Sequence, residues 1–261
     1  MPKDSNFQLL MDMLEKLRKD QLRNLITFLG FILIIFLSYM FYLVPGEPVY
    51  KNHSGIRSTI IALELSSSYS EVLDIIGKPG DPILESNVER YIQSIEIDYF
   101  FIFLYASFCI GIFEKSFRMS NLDKNIRVVF SILLILVILL DAFENFFLTE
   151  VLNSNLLSPR DSLTEIVFYI SLLKWVGFFG VIGLIGLVLW LGSNDAFLRI
   201  ISLFLFIPQL FAIFSIFGRL NFIEIAMEIT VPGLLLFWMY NVYWNYRDFR
   251  AMKSSRIFSE F

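Results

Sequence analysis

Histidine and cysteine are almost absent from this chain of 261 residues, which contains one of each, His53 and Cys109. A single cysteine cannot form a disulfide within the chain, and it excludes the paired cysteines of thiol redox enzymes. One histidine likewise argues against zinc sites, histidine-rich di-iron sites and haem held by two histidines. We therefore expect no metal site and no cofactor, a solvated His53 and a buried Cys109.

Motifs that bind nucleotides or position nucleophiles are also missing. The sequence has no phosphate-binding P-loop, no dinucleotide-binding glycine pattern and no Gly-x-Ser-x-Gly elbow. The net charge of −4 gives no reason to expect a nucleic-acid partner.

Apolar side chains dominate what is present. Hydrophobic residues make up 56% of the chain, 29 residues are Phe, and the mean hydropathy is +0.66. Six apolar runs are long enough to cross roughly 30 Å of hydrocarbon as helices, and they do not alternate with polar residues as barrel strands do. The sequence therefore predicts an all-α, polytopic transmembrane helix bundle. Its six spans cover residues 24–44, 98–117, 126–148, 166–192, 197–217 and 222–245.

Two polar parts of the chain lie outside these spans. Residues 1–23 have an amphipathic pattern, which predicts a cytoplasmic helix that lies on the membrane surface or packs on the cytoplasmic loops. No small-residue cleavage site follows the first span, so we expect it to remain as an anchor. Residues 45–97 carry short helical patterns and predict a small extracytoplasmic helical cap. The cap belongs to a single membrane domain that covers residues 24–261.

Lysine and arginine are distributed unevenly between the two sides of the predicted bundle. The first, third, fifth and seventh polar segments hold 14 of the 21 basic residues, the other side holds six, and Lys174 lies inside a span. By the positive-inside rule, this bias predicts that both termini lie in the cytoplasm. We expect the protein in the inner (plasma) membrane.

The third and fourth spans carry ionisable residues at matching depth. Asp141, Glu144 and Asn145 share one face of the third span because they are three and four residues apart. Asp141 and Lys174 each lie about 12 Å below the outer end of their spans, counted from the rise of a helix. The sequence therefore predicts an Asp141–Lys174 ion pair.

Further polar residues fall in the same outer half of the bundle, namely Asp98, Gln209, Glu224 and Glu228. So many carboxylates cannot all be ionised against one lysine in a medium of low dielectric constant. Either some are protonated, or a cation or cationic ligand shares the site. Three interpretations remain open: hydrogen bonds that only join helices, a ligand, ion or proton site, and an intramembrane catalytic site.

Glycines recur every three residues in the fourth span, at positions 177, 180, 183 and 186. Small residues at this spacing predict close packing against a neighbouring helix. That helix belongs either to the same chain or to a second subunit, so an oligomer stays open.

Several short motifs resemble a group of small bacterial multi-pass membrane proteins of uncharacterised function. They are Leu-Glu-Leu at 63–65, Glu-Val-Leu-Asp-Ile-Ile at 71–76, Ile-Asp-Tyr-Phe-Phe-Ile at 97–102 and Asp-Ala-Phe-Glu-Asn at 141–145, and they cover residues 58–150. The resemblance implies a bacterial inner-membrane location and no specific activity. The positions that match the pattern include Asp98, Tyr105, Asp141, Glu144 and Asn145.

Three functions follow as hypotheses. The first is binding or transport of a proton, a cation or a lipid-like ligand, which predicts an outward-facing cavity bounded by Asp98, Asp141, Glu144 and Lys174. The second is a structural or assembly subunit of a membrane complex. The third is an intramembrane enzyme that modifies a lipid, and the sequence offers no nucleophile or metal for it. We favour the first, with membrane lipids as partners, and leave enzymatic activity undecided.

Overall fold

The computed structural model describes residues 4–51, 55–153 and 161–259, and it describes side chains from residue 20 to residue 247 within these ranges. The described chain forms eight helices and no strand, which confirms the predicted all-α bundle. They are α1 (Asp4–Leu43), α2 (Thr59–Glu64), α3 (Tyr69–Ile76), α4 (Leu84–Met119), α5 (Asn125–Leu152), α6 (Asp161–Gly192), α7 (Ala196–Ser215) and α8 (Asn221–Ser259).

Six of these helices are long and apolar enough to cross a membrane. The candidate spans are Asp20–Leu43, Leu84–Met119, Asn125–Leu152, Asp161–Gly192, Ala196–Ser215 and Asn221–Arg247. Large apolar side chains such as Phe28, Phe103 and Val128 are exposed on the outside of the bundle. An apolar exterior of this kind is stable in lipid and not in water, so the chain is a multi-pass integral membrane protein. Residues 84–97 form a helix that runs without a break into the second span, as the sequence predicts.

Helix α6 lies at the centre of the bundle and contacts α4, α5 and α7, while α1 packs on α4 and α8 packs on α7. The glycines of α6 explain this position. A Cβ atom at Gly177 would lie 2.9 Å from Val137 of α5, and one at Gly186 would lie 2.8 Å from the backbone oxygen of Ser202 in α7. The helices that the glycine pattern predicted as close neighbours therefore belong to the same chain.

Helices α2 and α3 pack at one end of the bundle. We call these two helices the cap and this end the cap side; the opposite end is the terminal side. At the break between them, the Ser68 hydroxyl caps α3 by accepting from the backbone N–H of Glu71, and the Glu71 carboxylate accepts from the N–H of Ser67 at 2.7 Å. The backbone N–H of Tyr69 donates to Asp161 at 2.9 Å and ties the cap to α6.

A polar cluster closes the turn between α3 and α4. The carboxylate of Asp81 accepts from the backbone N–H of Lys78 at 2.5 Å and from the Tyr50 hydroxyl at 2.7 Å. The hydrogen bond from Lys78, and then that from Tyr50, hold the pKa of Asp81 below its usual value of 3.8. Asp81 therefore remains ionised at neutral pH and fixes the turn.

Two predictions fall partly or wholly outside the described residues. Helix α1 is continuous from Asp4 to Leu43, so no break separates the polar segment 1–23 from the first span. The side chains before residue 20 lie outside the described part, and the membrane-surface location of that segment stays a prediction. His53 also lies outside the described residues. Cys109 is buried in α4, as predicted.

Candidate functional site

Lys174 of α6 is buried in the bundle on the cap side, with 6% of its surface exposed. Its Nζ lies 3.4 Å from Oδ1 of Asp141, which confirms the predicted ion pair. The same Nζ also pairs with Glu144, one helical turn further along α5, and lies 3.2 Å from Oε2 of Glu64 in the cap. One ammonium group therefore meets three carboxylates from two helices.

Two of these carboxylates also accept hydrogen bonds from neutral donors. The Ser171 hydroxyl, one turn before Lys174, donates to Glu144, and both residues are completely buried. The indole N–H of Trp175 donates to Oε2 of Glu64 at 2.9 Å. Glu64, Ser171 and Trp175 were not among the residues that the sequence singled out. Glu64 lies between two leucines in a short helix. The sequence did not show how deeply this helix packs into the bundle, and only the two leucines indicated that the Glu64 side chain is largely buried.

Two further predicted residues extend the cluster towards α4. The Tyr105 hydroxyl donates to Oδ2 of Asp141 at 2.8 Å, and Nδ2 of Asn145 donates to Oδ2 of Asp98 at 2.7 Å. Asp141 and Asn145 are buried, whereas Asp98 is half-buried. The structure thus brings together six predicted residues, namely Asp98, Tyr105, Asp141, Glu144, Asn145 and Lys174.

A cavity of about 620 Å³ lies beside this cluster, between α1, α4, α5, α6 and α8 and beneath α2. Asp98, Asp141 and Lys174 line it, together with Glu64 from the cap, while Glu144 is not on its surface. Most of the remaining wall is apolar. Its apolar lining includes Leu33, Leu37, Phe101, Phe108, Val137, Leu148, Met227, Val231 and Leu234. The lining residues of α8 extend from Glu224 to Trp238, a length of about 21 Å along the helix.

Trp238 forms the floor of the cavity on the terminal side. Its indole N–H donates to the backbone oxygen of Thr27 at 2.8 Å, and its ring packs so closely on Gly30 that any side chain there would overlap it. The hydrogen bonds between α1 and α8 lie at or below this level. Towards the cap side, Phe41 of α1 and Leu235 of α8 line the cavity and keep large exposed fractions. Helices α1 and α8 therefore both form part of the cavity wall.

A second polar group lies at the rim of the cavity on the cap side. The backbone N–H groups of Arg57 and Ser58 each donate to the Glu224 carboxylate at 3.0 Å. The Arg57 guanidinium lies 3.6 Å from Glu224 and pairs with Glu228. Glu224 and Glu228 thus bind the loop before α2 and are not partners of Lys174. Gln209 lies apart from both groups, against Gly183 at the α6–α7 contact.

The described residues contain no group of three or more His, Cys, Asp or Glu side chains placed to hold a metal ion. Ser171 is hydrogen-bonded to a carboxylate, but it does not line the cavity. The arrangement provides buried charge, neutral hydrogen-bond donors and a long apolar chamber. No protein-family model, curated protein or solved structure matches the chain.

Proposed function

We propose that the protein binds an amphiphilic, lipid-like molecule in this cavity. The observation that carries the proposal is a long apolar chamber with polar side chains along its cap-side wall, in a bundle whose exterior is apolar. The tail of the amphiphile lies between α1 and α8 above Trp238, and its head group lies beside Asp98, Asp141 and Lys174. Cavities of 300–1,000 Å³ with few, placed polar groups are typical of small-molecule sites.

The polar wall, and not the apolar chamber, determines which amphiphile is bound. A tail that moves from the bilayer into an apolar cavity exchanges one apolar environment for another, so its transfer contributes little free energy. A buried head group, by contrast, must satisfy its own hydrogen bonds and charges and those of the wall. Selectivity is therefore expected to depend on the cap-side carboxylates and Lys174.

Binding is favoured over conduction of an ion. Between the Lys174 cluster and the terminal side, the described core is mostly apolar and includes Val137, Val181 and Ile182. Gln209, against Gly183, is a polar side chain at this depth. An ion would have to exchange its charged ligands for few polar partners in this region, which is costly. The cluster is suited to hold a charged group in place.

The proposal includes an orientation. The distribution of basic residues supports a bundle whose cap faces away from the cytoplasm, with both termini on the cytoplasmic side. The resemblance of residues 58–150 to bacterial membrane proteins supports the inner membrane of a bacterium as its location. The ligand then enters from the outer leaflet, between α1 and α8.

Native mass spectrometry of the protein, extracted from membranes in a mild maltoside detergent, tests the proposal. We expect a co-purified amphiphile on the wild type. Leu234→Trp places an indole in the chamber and should remove it, whereas Met239→Trp, on the exposed face of the same helix, should not. Equal amounts of bound lipid on both variants would refute binding in the cavity.

A further inference from the structure

Negative charge is in excess around the cavity. Six carboxylates and two basic groups lie on its wall, immediately behind it or at its rim, which gives a formal charge of −4 when all are ionised. A head group that carries a carboxylate or a free phosphate would add to this excess, whereas a cationic head group would reduce it. The eight residues are Glu64, Asp98, Asp141, Glu144, Glu224, Glu228, Lys174 and Arg57.

Aromatic rings line the cavity next to these carboxylates. The ring centres of Phe101 and Tyr105 are 5.8 Å apart, those of Tyr105 and Phe178 are 5.7 Å apart, and those of Phe178 and Trp175 are 6.1 Å apart. All four residues line the cavity. The Nζ of Lys174 lies 4.6 Å from the centre of the Trp175 ring, so this cluster already carries one ammonium group. Aromatic faces beside carboxylates are the surroundings in which proteins bind organic ammonium ions.

One polar group of the cavity has no partner within the described chain. Thr230 of α8 lines the cavity, is 1% exposed, and its hydroxyl makes no hydrogen bond to the described residues. Buried hydroxyls are rarely left unsatisfied, because each then loses its hydrogen bonds to water without replacement. A ligand in the cavity would provide the missing partner, and an ammonium N–H is a suitable donor.

We infer that the amphiphile carries an organic cation, an amine or a quaternary ammonium, as its head group. This inference rests on the proposed function and adds the chemistry of the ligand. The ammonium lies against the rings of Phe101, Tyr105 and Phe178, with Asp98 and Asp141 as counter-ions. An amine also donates to the Thr230 hydroxyl, which a trimethylammonium group cannot do.

Amphiphiles with one chain length and different head groups test the inference. Wild-type protein in maltoside micelles is titrated with an alkylamine, an alkyltrimethylammonium, an alkyl glucoside and a fatty acid, and binding is followed by native mass spectrometry. We expect both cations to bind at least about tenfold more tightly than the glucoside and the fatty acid. At equal total concentration, tetramethylammonium should bind far more weakly than its alkyl counterpart, because it has no tail to transfer out of water.

Two variants locate the head group. Asp98→Asn removes one charge and keeps an acceptor for Asn145, so we expect about tenfold weaker binding of both cations. Glu96→Gln, on the exposed face of the same helix, is the matched control and should bind as the wild type does. Thr230→Val should weaken binding of the alkylamine several-fold and leave the alkyltrimethylammonium unchanged.

The outcomes separate the inference from the proposed function. Tighter or equal binding of the fatty acid or the glucoside overturns the cationic head group and leaves the amphiphile site intact. Equal binding of tetramethylammonium and its alkyl counterpart would show that the ligand is a free organic cation. It would overturn the proposal that the ligand is an amphiphile. Unchanged cation binding in both Asp98→Asn and Thr230→Val overturns the location of the head group. Absence of binding throughout the series, together with lipid-free wild-type protein, refutes the proposed function itself.

Discussion

Replacement of Lys174 by methionine is expected to destabilise the protein strongly. The substitution keeps the length and the apolar stem of the side chain but removes the ammonium that faces Glu64, Asp141 and Glu144. Glu144 is completely buried, so its charge cannot be compensated by water. Removal of one partner of a buried ion pair typically costs about 3–5 kcal/mol, and we expect the loss in the free energy of unfolding to fall in this range.

A double substitution identifies the cause of this loss. Lys174→Met combined with Glu144→Gln removes both buried charges of the closest pair, and we expect it to recover at least about 1 kcal/mol relative to Lys174→Met alone. Recovery should be incomplete, because Asp141 and Glu64 still face the vacant position. The assay is equilibrium unfolding in maltoside micelles, followed by tryptophan fluorescence and by circular dichroism.

Lys115→Met is the matched control, because Lys115 is also a lysine on a membrane helix, although it is half-buried and not fully buried. Its Nζ pairs with the side-chain oxygen of Asn241, and within the described chain it has no carboxylate partner. We expect a loss of about 1.5–3 kcal/mol for this charge-assisted hydrogen bond, which is less than the loss expected for Lys174→Met. The reasoning is refuted if Lys174→Met costs no more than Lys115→Met, or if the double variant is no more stable than Lys174→Met.

Three further outcomes follow from the packing and the cap. Gly186→Ala should lower the free energy of unfolding by about 1–3 kcal/mol, because the added methyl group would overlap backbone atoms of α7. Gly180→Ala should be tolerated, because its methyl group meets only a side chain at 3.5 Å. Thermal unfolding of the two variants distinguishes these outcomes. Glu224→Ala removes the acceptor of two backbone N–H groups, so hydrogen exchange in residues 55–61 should become faster, and unchanged exchange would contradict this role. Hydrogen bonds lower the pKa of Asp81, so the ionised carboxylate should stabilise the cap fully above pH 3.8. This stabilisation should be lost as the pH falls through the lowered pKa of the folded state. In a pH titration of hydrogen exchange in the cap, Asp81→Asn should remove this acid-induced loss of protection.

Depth and spacing were sufficient to predict the centre of the site. Asp141 and Lys174 lie at similar distances from the ends of two consecutive antiparallel helices, so counting residues places them together. Glu144 lies on the same face of α5, and it proved to be a partner of the same lysine. These residues interact because of helix geometry, which a single sequence contains.

The remaining features depend on contacts between distant parts of the chain. Glu64 reaches Lys174 from the cap, and no residue count fixes how deeply a short helix packs into a bundle. The floor of the cavity depends on the contact of Trp238 in α8 with Gly30 in α1, two residues more than 200 positions apart in the chain. The sequence grouped Gln209 with the carboxylates because of its depth. In the structure its side chain lies against Gly183 of α6. Depth alone does not predict which neighbouring helix a residue of α7 faces.

The most direct test of the central claim is a cryo-electron microscopy map of the protein in nanodiscs made from the lipid extract of its native membrane. We predict elongated density between α1 and α8 above Trp238, with its polar end within hydrogen-bond distance of Asp98 or Thr230. A map that resolves the side chains of Trp238 and Arg57 but contains only water in the chamber would contradict the account.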